Sequence, residues 1–237
     1  MNLLKEFSLN DSCSYIDNYK TTTHYKIIQD STSRESQELI ERGYRRFGEM
    51  YFRPICQTCS ECQSIKIDVN NFTFSKSQRR VLKKGSFIES FIQHPTLSQE
   101  HLDLFKKYHL YMKDKKGWEY KESTPQHYYD SFVSGHGDFG YEILYFDKDR
   151  LIGVDLVDIL EDGISSIYFY YDPEYEAYSL GKLSLYQQIL IAKERKKEWI
   201  YLGYYVESCP SLSYKSHYKP YKTLEGRPSD TEAYIWN

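Results

Sequence analysis

Three strand-like runs joined by two very short turns constrain the fold of this chain more than any other feature. They begin at Tyr141 and read YEILYFD, RLIGVDLVDIL and ISSIYFYYD, and the turns between them are Asp147–Asp149 and Glu161–Gly163. Runs of β-branched and aromatic residues bounded by turn residues are typical of strands, and strands joined by tight turns pair antiparallel. The sequence therefore predicts an antiparallel meander.

A helix and one more strand follow this meander. Apolar residues recur at helical spacing between Ser179 and Glu198, for example at Leu183, Tyr186 and Leu190, and the strand-like run WIYLGYY comes next. A meander followed by a helix and a strand predicts an α+β domain. Acyl-CoA N-acyltransferases of the acetyltransferase (GNAT) type have their elements in this order, as do many unrelated α+β domains.

The first third of the chain predicts two helices around a cysteine-rich turn. Ser33 can cap a helix that Gly43 ends, and Ser75–Lys84 is typical of a short basic helix closed by Gly85. Between them, Ser64–Phe72 alternates apolar and polar residues, as a half-buried strand does.

Two further helices precede the meander. Thr96 and Gln99 form a capping-box pattern at the start of a long helix that ends near Gly117, and Thr124-Pro125 begins another, which Gly135 ends. Because the pattern changes near residue 94, we expect a cysteine-rich recognition region at 1–94 and an acyltransferase-like domain at 95–237.

Composition limits the kind of protein. The 237 residues include no run of about 20 apolar residues and no apolar core of a signal peptide, so the sequence predicts a cytoplasmic chain without a membrane partner. The formal net charge of -3 gives no overall attraction to nucleic acid, so an RNA contact requires a local basic patch. In a reducing compartment, the five cysteines favour metal ligands or free thiols over disulfides.

The spacing Cys56-x-x-Cys59-x-x-Cys62 indicates a thiolate site. Zinc or an iron-sulfur cluster usually needs four protein ligands, and Cys13 could be the fourth if it folds back beside the turn. His24 is an alternative fourth ligand. Equally, these cysteines could be ordinary buried thiols.

A basic segment and a glycine-containing turn are candidates for phosphate binding. At least four cations of KSQRRVLKK can share one helical face, which would bind phosphate or simply be solvated. Gly181 and Lys182 lie where a strand passes into a helix, and there backbone N–H groups can bind an anion. The basic residues are Lys76, Arg79, Arg80, Lys83 and Lys84.

Six blocks in order along the chain resemble bacterial leucyl-tRNA-protein transferases and, more distantly, eukaryotic arginyl-tRNA-protein transferases. The blocks are CSYI from Cys13, GYRRFGEMYFRPICQTCSECQSIKIDV from Gly43, FSKSQRRVLKK from Phe74, VDIL from Val157, FYYDPEYEAYSLG from Phe169 and YLGYYVESCPSLSYKSHYKP from Tyr201. Departures include Phe47 where many relatives have Ser, and Leu212 where Met is frequent.

The resemblance implies a GNAT-like acyltransferase fold, an aminoacyl-tRNA donor and acceptor proteins with an N-terminal Asp or Glu, hence a role in the N-degron pathway of degradation. It also groups Cys13 with Cys56, Cys59 and Cys62, because related arginyltransferases use a similar set for zinc or an iron-sulfur cluster. No cofactor is required for the transfer itself, since the aminoacyl ester is already activated. Leucine and arginine remain alternative donors, and the oligomeric state is open.

Roles for single residues follow as hypotheses. Asp158 or Asp172 could accept or orient a proton, Tyr168 or Tyr204 could protonate the leaving ribose oxygen, and Lys215 could stabilise developing charge or hold terminal phosphates. The acidic acceptor side chain needs a cation, because a guanidinium pairs with a carboxylate through two hydrogen bonds. The candidate arginines are Arg45, Arg46, Arg53 and Arg79.

Two other classes of function are possible. A coenzyme-A-dependent N-acetyltransferase would share the fold, but the turn YSLGKLS lacks the second glycine of the pyrophosphate loop. A metal-stabilised RNA-binding module would explain the cysteines and the basic helix, but not the acyltransferase-like second half.

Overall fold

A computed structural model describes all 237 residues. The N-terminal part forms a four-stranded antiparallel sheet in the order β1-β2-β4-β3. A helix connects its second and third strands. The strands are β1 (Asn2–Ser12), β2 (Lys20–Gln29), β3 (Arg45–Phe47) and β4 (Met50–Pro54), and the helix is α1 (Ser33–Glu41).

A seven-stranded sheet in the order β11-β5-β10-β9-β8-β7-β6 forms the centre of the molecule. Its strands are β5 (Gln63–Asp68), β6 (Glu89–Gln93), β7 (Gly140–Asp147), β8 (Arg150–Ile159), β9 (Gly163–Tyr171), β10 (Trp199–Tyr205) and β11 (Tyr221–Thr223). All neighbours are antiparallel except β9 and β10, which run parallel. The predicted meander and the predicted α+β class are confirmed.

Helices cover both faces of this sheet. Val157 packs with one core against α2 and α5, whereas the adjacent Leu156 packs with a second core against α3 and α4, because successive side chains of a strand point to opposite faces. A π-helix, Tyr129–Val133, continues α4. The helices are α2 (Lys76–Lys84), α3 (Gln99–Lys116), α4 (Pro125–Tyr128), α5 (Leu180–Glu194) and α6 (Pro210–Ser213).

Three predicted helix ends are wrong. Thr32 rather than Ser33 caps α1, because its side chain and that of Glu35 complete the capping box. Ser98 rather than Thr96 caps α3, since the Thr96 hydroxyl instead donates to a carboxylate oxygen of Glu142 at 2.8 Å. The helix expected to reach residue 198 ends at residue 194.

The seven-stranded sheet crosses the boundary expected at residue 94. β5 and β6 precede that residue and pair with later strands. The last residues, in turn, return to the N-terminal sheet, where the Arg53 guanidinium donates to the Pro228 carbonyl at 2.8 Å. The two halves of the chain therefore share one sheet and one set of contacts. None of the helices is long and apolar enough to cross a bilayer.

Candidate active site

The parallel strands β9 and β10 pair only where they begin. Trp199, Ile200 and Tyr201 face residues 163–165, and no pairing of the two strands follows although both continue. The separation begins near Gly203, whose φ of +72° is one that glycine adopts without strain. Beyond this point, the backbone carbonyls that line the gap need other donors.

Two cations supply those donors from opposite sides of the gap. The Arg45 guanidinium, on β3, donates to the carbonyl of Ile167 at 2.8 Å on β9. The Lys215 ammonium donates to the carbonyls of Leu202 at 2.8 Å and Tyr204 at 2.6 Å on β10. Arg45 and Lys215, both predicted from the sequence, thus lie together at the opening between the strands.

Two basic side chains, Arg45 and Lys215, lie close together at this gap and influence each other's charge. Burial, and secondarily the Arg45 guanidinium, holds the pKa of Lys215 well below its usual range. Gly203 allows Arg45 to cross β10 closely, because a Cβ at this position would lie 2.7 Å from Arg45 Nε. Arg45 makes no salt bridge, and only its Nη2 is hydrogen-bonded to the strand. Its other N–H groups remain available for an anion.

A cavity of about 580 Å³ adjoins the gap. Phe47, two residues from Arg45 and on the same side of β3, lies in its wall with Phe132 and Tyr168. The Phe132 ring stacks on Tyr168 with centroids 5.6 Å apart, and Phe47 meets Phe132 edge-on at 5.8 Å. The cavity therefore presents aromatic rings beside the strand that carries Arg45.

Tyr168, a predicted proton donor, has a partner that the sequence did not indicate. His109 Nδ1 donates to the Phe105 carbonyl at 2.8 Å, so Nε2 of the neutral ring accepts from the Tyr168 hydroxyl, also at 2.8 Å. Burial lowers the pKa of His109, which favours this neutral ring. The hydroxyl proton of Tyr168 is therefore already in a hydrogen bond to His109 Nε2.

The other predicted catalytic side chains lie in existing contacts. Asp158 is buried and paired with Arg46, one of the predicted acceptor-binding arginines. Asp172 caps the 3-10 helix Pro173–Tyr178 and pairs with Lys107. The Tyr204 hydroxyl donates to the Phe52 carbonyl at 3.0 Å. None of these three lies free at the gap.

The remaining candidate arginines lie apart from the gap. The Arg53 guanidinium is buried and donates to the carbonyls of Arg42 and Pro228. Arg79 is exposed on α2 and donates to the Phe74 carbonyl at 2.7 Å. Of the four predicted acceptor-binding arginines, only Arg45 lies at the gap.

The cysteines predicted to bind one metal ion or cluster lie close together, with the other three near Cys62. Burial, together with the neighbouring thiols of Cys13, Cys56 and Cys59, raises the pKa of Cys62 to about 12. The side chains do not fit a preformed metal site, because no three His, Cys, Asp or Glu residues anywhere are arranged as ligands of one ion. His24 pairs instead with Tyr44 and Glu6.

Arg227, near the end of the chain, holds the cysteine turn in place. Its guanidinium donates to the carbonyls of Cys56 at 3.0 Å and Cys59 at 3.1 Å. Sequence reasoning missed Arg227, and it also missed Gly203 and Phe132. A lone arginine, glycine or phenylalanine has no local pattern that indicates a long-range contact.

The two predicted phosphate-binding elements are neighbours. The Lys84 ammonium at the end of α2 donates to the Ala177 carbonyl at 2.7 Å, just before the turn that contains Gly181 and Lys182. Both residues of that turn are exposed, and a Cβ at Gly181 would meet no atom within 4 Å. The basic residues of α2 are exposed as well, namely Lys76, Arg79, Arg80, Lys83 and Lys84.

Family models match both halves of the chain. Residues 11–80 match the N terminus, and residues 100–225 the C terminus, of the family described as arginine-tRNA-protein transferase. These matches include Arg45 and Lys215, the two cations at the gap. The chain belongs to this family of aminoacyl-tRNA-protein transferases, as the resemblance predicted.

Its relatives within the family have a more specific name. The chain is 44% identical to an aspartate/glutamate leucyltransferase of Helicobacter hepaticus, over 100% of this chain and 98% of the relative. It is 46% identical to an aspartate/glutamate leucyltransferase of Campylobacter jejuni, over 92% of each chain. Among solved structures, L-PGS from Bacillus licheniformis is similar with a TM-score of 0.45 and 14% identity, over 61% of this chain and 47% of that chain.

Proposed function

We propose that this chain transfers leucine from Leu-tRNA to the amino terminus of proteins that begin with Asp or Glu, and so marks them for degradation. The observation that supports this most directly is the full-length similarity to relatives named aspartate/glutamate leucyltransferase. The proposal places the enzyme in the cytoplasm, where aminoacyl-tRNA is made.

The reaction in this proposal is aminolysis of an ester. The α-amine nitrogen of the acceptor attacks the leucyl carbonyl carbon, an amide bond forms, and the bond to the terminal ribose oxygen breaks. One proton leaves the amine and one proton ends on the ribose oxygen. No external energy source is needed, because the aminoacyl ester is already activated. Catalysis then depends on position and on stabilisation of the tetrahedral oxyanion.

The gap between β9 and β10 is the proposed place for the ester carbonyl. Diverging parallel strands connected by a helix, as β9 and β10 are by α5, are the arrangement expected of a GNAT-like fold, and we propose this fold for the seven-stranded sheet and α5. The Lys215 amino group provides an N–H donor for the oxyanion. Arg45 provides free N–H groups for the acceptor carboxylate, since a guanidinium binds a carboxylate through two hydrogen bonds.

The tRNA is proposed to bind across α2 and the start of α5. Lys76, Arg80, Lys83 and Lys84 give a row of exposed positive charge beside the turn at Gly181 and Lys182. Cations along a helix face neutralise phosphates without reading sequence. The chain reaches this turn from β9 through the 3-10 helix Pro173–Tyr178.

A metal or cluster at the cysteines is a separate part of the proposal and takes no step in the transfer. Cys13, Cys56, Cys59 and Cys62 would hold zinc or an iron-sulfur cluster after their side chains draw together around Cys62. Metal analysis of anaerobically purified protein tests this. Cys59→Ser should lose the metal and Thr58→Ala, in the same turn, should keep it; metal-free wild-type protein would contradict the assignment.

Transfer of radiolabelled amino acid tests the proposed function. Leu-tRNA, Arg-tRNA and acetyl-coenzyme A are offered in turn as donors, with peptides that begin with Asp, Glu or Lys as acceptors. We expect label from Leu-tRNA on the Asp and Glu peptides only. Label from Arg-tRNA alone would change the donor, and label from acetyl-coenzyme A alone would overturn the proposal.

A further inference from the structure

The cavity beside Arg45 is built where two distant segments fit closely together. The β3–β4 turn rests on the π-helix Tyr129–Val133, and Gly48, with a φ of +57°, makes the closest approach. A Cβ on Gly48 would lie 1.8 Å from the Asp130 carbonyl oxygen, and one on Gly135 would lie 2.8 Å from Glu49 Cγ. π-helical turns are rare and occur frequently at functional sites.

The wall of the cavity is largely aromatic. Phe47, Phe105, Phe132 and Tyr168 line it, and Met50 adds a flexible apolar side chain. Its volume of about 580 Å³ falls within the range of roughly 300–1,000 Å³ that is usual for small-ligand sites. An apolar group is therefore favoured here.

The acidic groups of the cavity are two carboxylates, and the one basic side chain in its wall is that of His127. The Glu49 carboxylate accepts from the Gln29 amide at 3.2 Å, and the Asp130 carboxylate accepts from the Gln126 amide at 2.8 Å. Neither carboxylate forms a salt bridge, and neither Lys nor Arg lines the cavity. A phosphate or an acidic acceptor side chain would be repelled, whereas a ligand with an apolar part and an ammonium group would be attracted.

We infer that this cavity binds the leucyl group of the donor, with the isobutyl side chain among the aromatic rings and the α-ammonium group at Glu49 and Asp130. Arg45 binds the Ile167 carbonyl, next to Tyr168 in the cavity wall, so the leucyl carbonyl would lie at the gap between β9 and β10. The inference rests on the proposed function and assigns the donor's subsite within it.

Isothermal titration calorimetry of the full chain tests the assignment. The probe is 3′-deoxy-3′-(L-leucylamino)adenosine, a stable amide analogue of the charged tRNA end. Wild-type protein should bind it, and Phe47→Ala and Glu49→Gln should each weaken binding about tenfold or more, because each removes a packing or charge contact. Ser131→Phe, which fills the cavity without removing core packing, should abolish binding.

An N-acetylated probe isolates the ammonium contact. It has no positive charge, so Glu49→Gln should leave its affinity unchanged while Phe47→Ala still weakens it. Matched controls come from the edge strand β6, where Phe91 and Glu89 are exposed. Phe91→Ala and Glu89→Gln should bind both probes as the wild type does.

Three results would overturn the assignment. They are unchanged affinity in all three cavity variants, absent binding to wild-type protein, and tighter binding of the arginyl counterpart of the probe. Calorimetry requires no transfer, so the two proposals fail separately. Normal binding by cavity variants of an enzyme that transfers leucine contradicts the pocket alone, whereas cavity-dependent binding by an inactive enzyme contradicts the acceptor reaction alone.

Discussion

Arg46 and Asp158, 112 residues apart, form a buried two-point ion pair: Arg46 Nε donates to Asp158 Oδ2 at 2.9 Å, and Nη2 donates to Oδ1. The same guanidinium donates to the carbonyls of Gly48 at 2.6 Å and Gly135 at 3.1 Å. One side chain thereby joins β8, the β3–β4 turn and the segment after the π-helix. The pair fixes the wall of the cavity rather than presenting free groups to a substrate.

Breaking this ion pair should lower the stability of the folded protein. Arg46→Met leaves the buried Asp158 carboxylate without a partner, and we expect the free energy of unfolding to fall by about 3–5 kcal/mol. The double variant Arg46→Met/Asp158→Leu buries no charge and should be less destabilised than the single variant. Urea denaturation followed by circular dichroism measures both. A double variant as destabilised as the single variant would contradict the assignment of this cost to the unpaired carboxylate.

Gly203→Ala should impair transfer through Arg45. The new Cβ would lie 2.7 Å from Arg45 Nε and displace the guanidinium from the gap. A misplacement of about 1 Å can lower a rate by about a hundredfold, so we expect a loss of at least about tenfold in kcat/KM. Gly117→Ala is the matched control, because its φ of +69° gives similar strain and no atom lies within 4 Å of the new Cβ. Equal losses in the two variants would show that strain, not Arg45, is responsible.

Removing the cations of α2 should change the response to salt. The triple variant Lys76→Gln/Arg80→Gln/Lys83→Gln should raise the KM for Leu-tRNA and leave the KM for the acceptor peptide unchanged. Each lost phosphate contact should lower the slope of log affinity against log salt concentration by about 1. Lys121→Gln, at a residue that is exposed elsewhere on the surface, is the control. An unchanged slope would mean that the cations of α2 contact solvent and not the tRNA.

Asp155 should make stability depend on pH. It is fully buried and accepts from the Gln188 amide at 2.8 Å, and burial raises its pKa from 3.8 to about 7. Because the folded pKa lies above the unfolded one, its contribution is fully present below pH 3.8 and is lost as the pH rises through 7.

Asp155→Asn should therefore gain stability relative to wild type between pH 4 and pH 8. The pKa difference of about three units sets an upper limit of about 4 kcal/mol. Thermal unfolding across this pH range measures the difference. A constant difference would mean that Asp155 does not titrate in this window.

The locally patterned elements were predictable from the sequence. The meander, β10, the basic helix α2 and most of α5 form where the pattern indicated them. Asp155 and Asp158 point to opposite faces of β8, toward Gln188 and Arg46 respectively, because side chains alternate along a strand. The wrongly predicted caps at Ser33 and Thr96 show the limit of local patterns. Thr32 caps α1 instead of Ser33, and Ser98 caps α3 because Thr96 is hydrogen-bonded to Glu142.

The sequence by itself determined the meander, α2, α5 and β10, since spacing and turn chemistry act between near neighbours in the chain, but it did not indicate the strands of the N-terminal sheet. Only the tertiary structure decided which charged groups remain available to a ligand. Arg45 and Arg46 are adjacent in sequence, yet the first reaches the gap between β9 and β10 and the second is buried against Asp158. Their side chains point to opposite sides of β3. What each side meets depends on segments more than 100 residues away, and no local pattern encodes that distance.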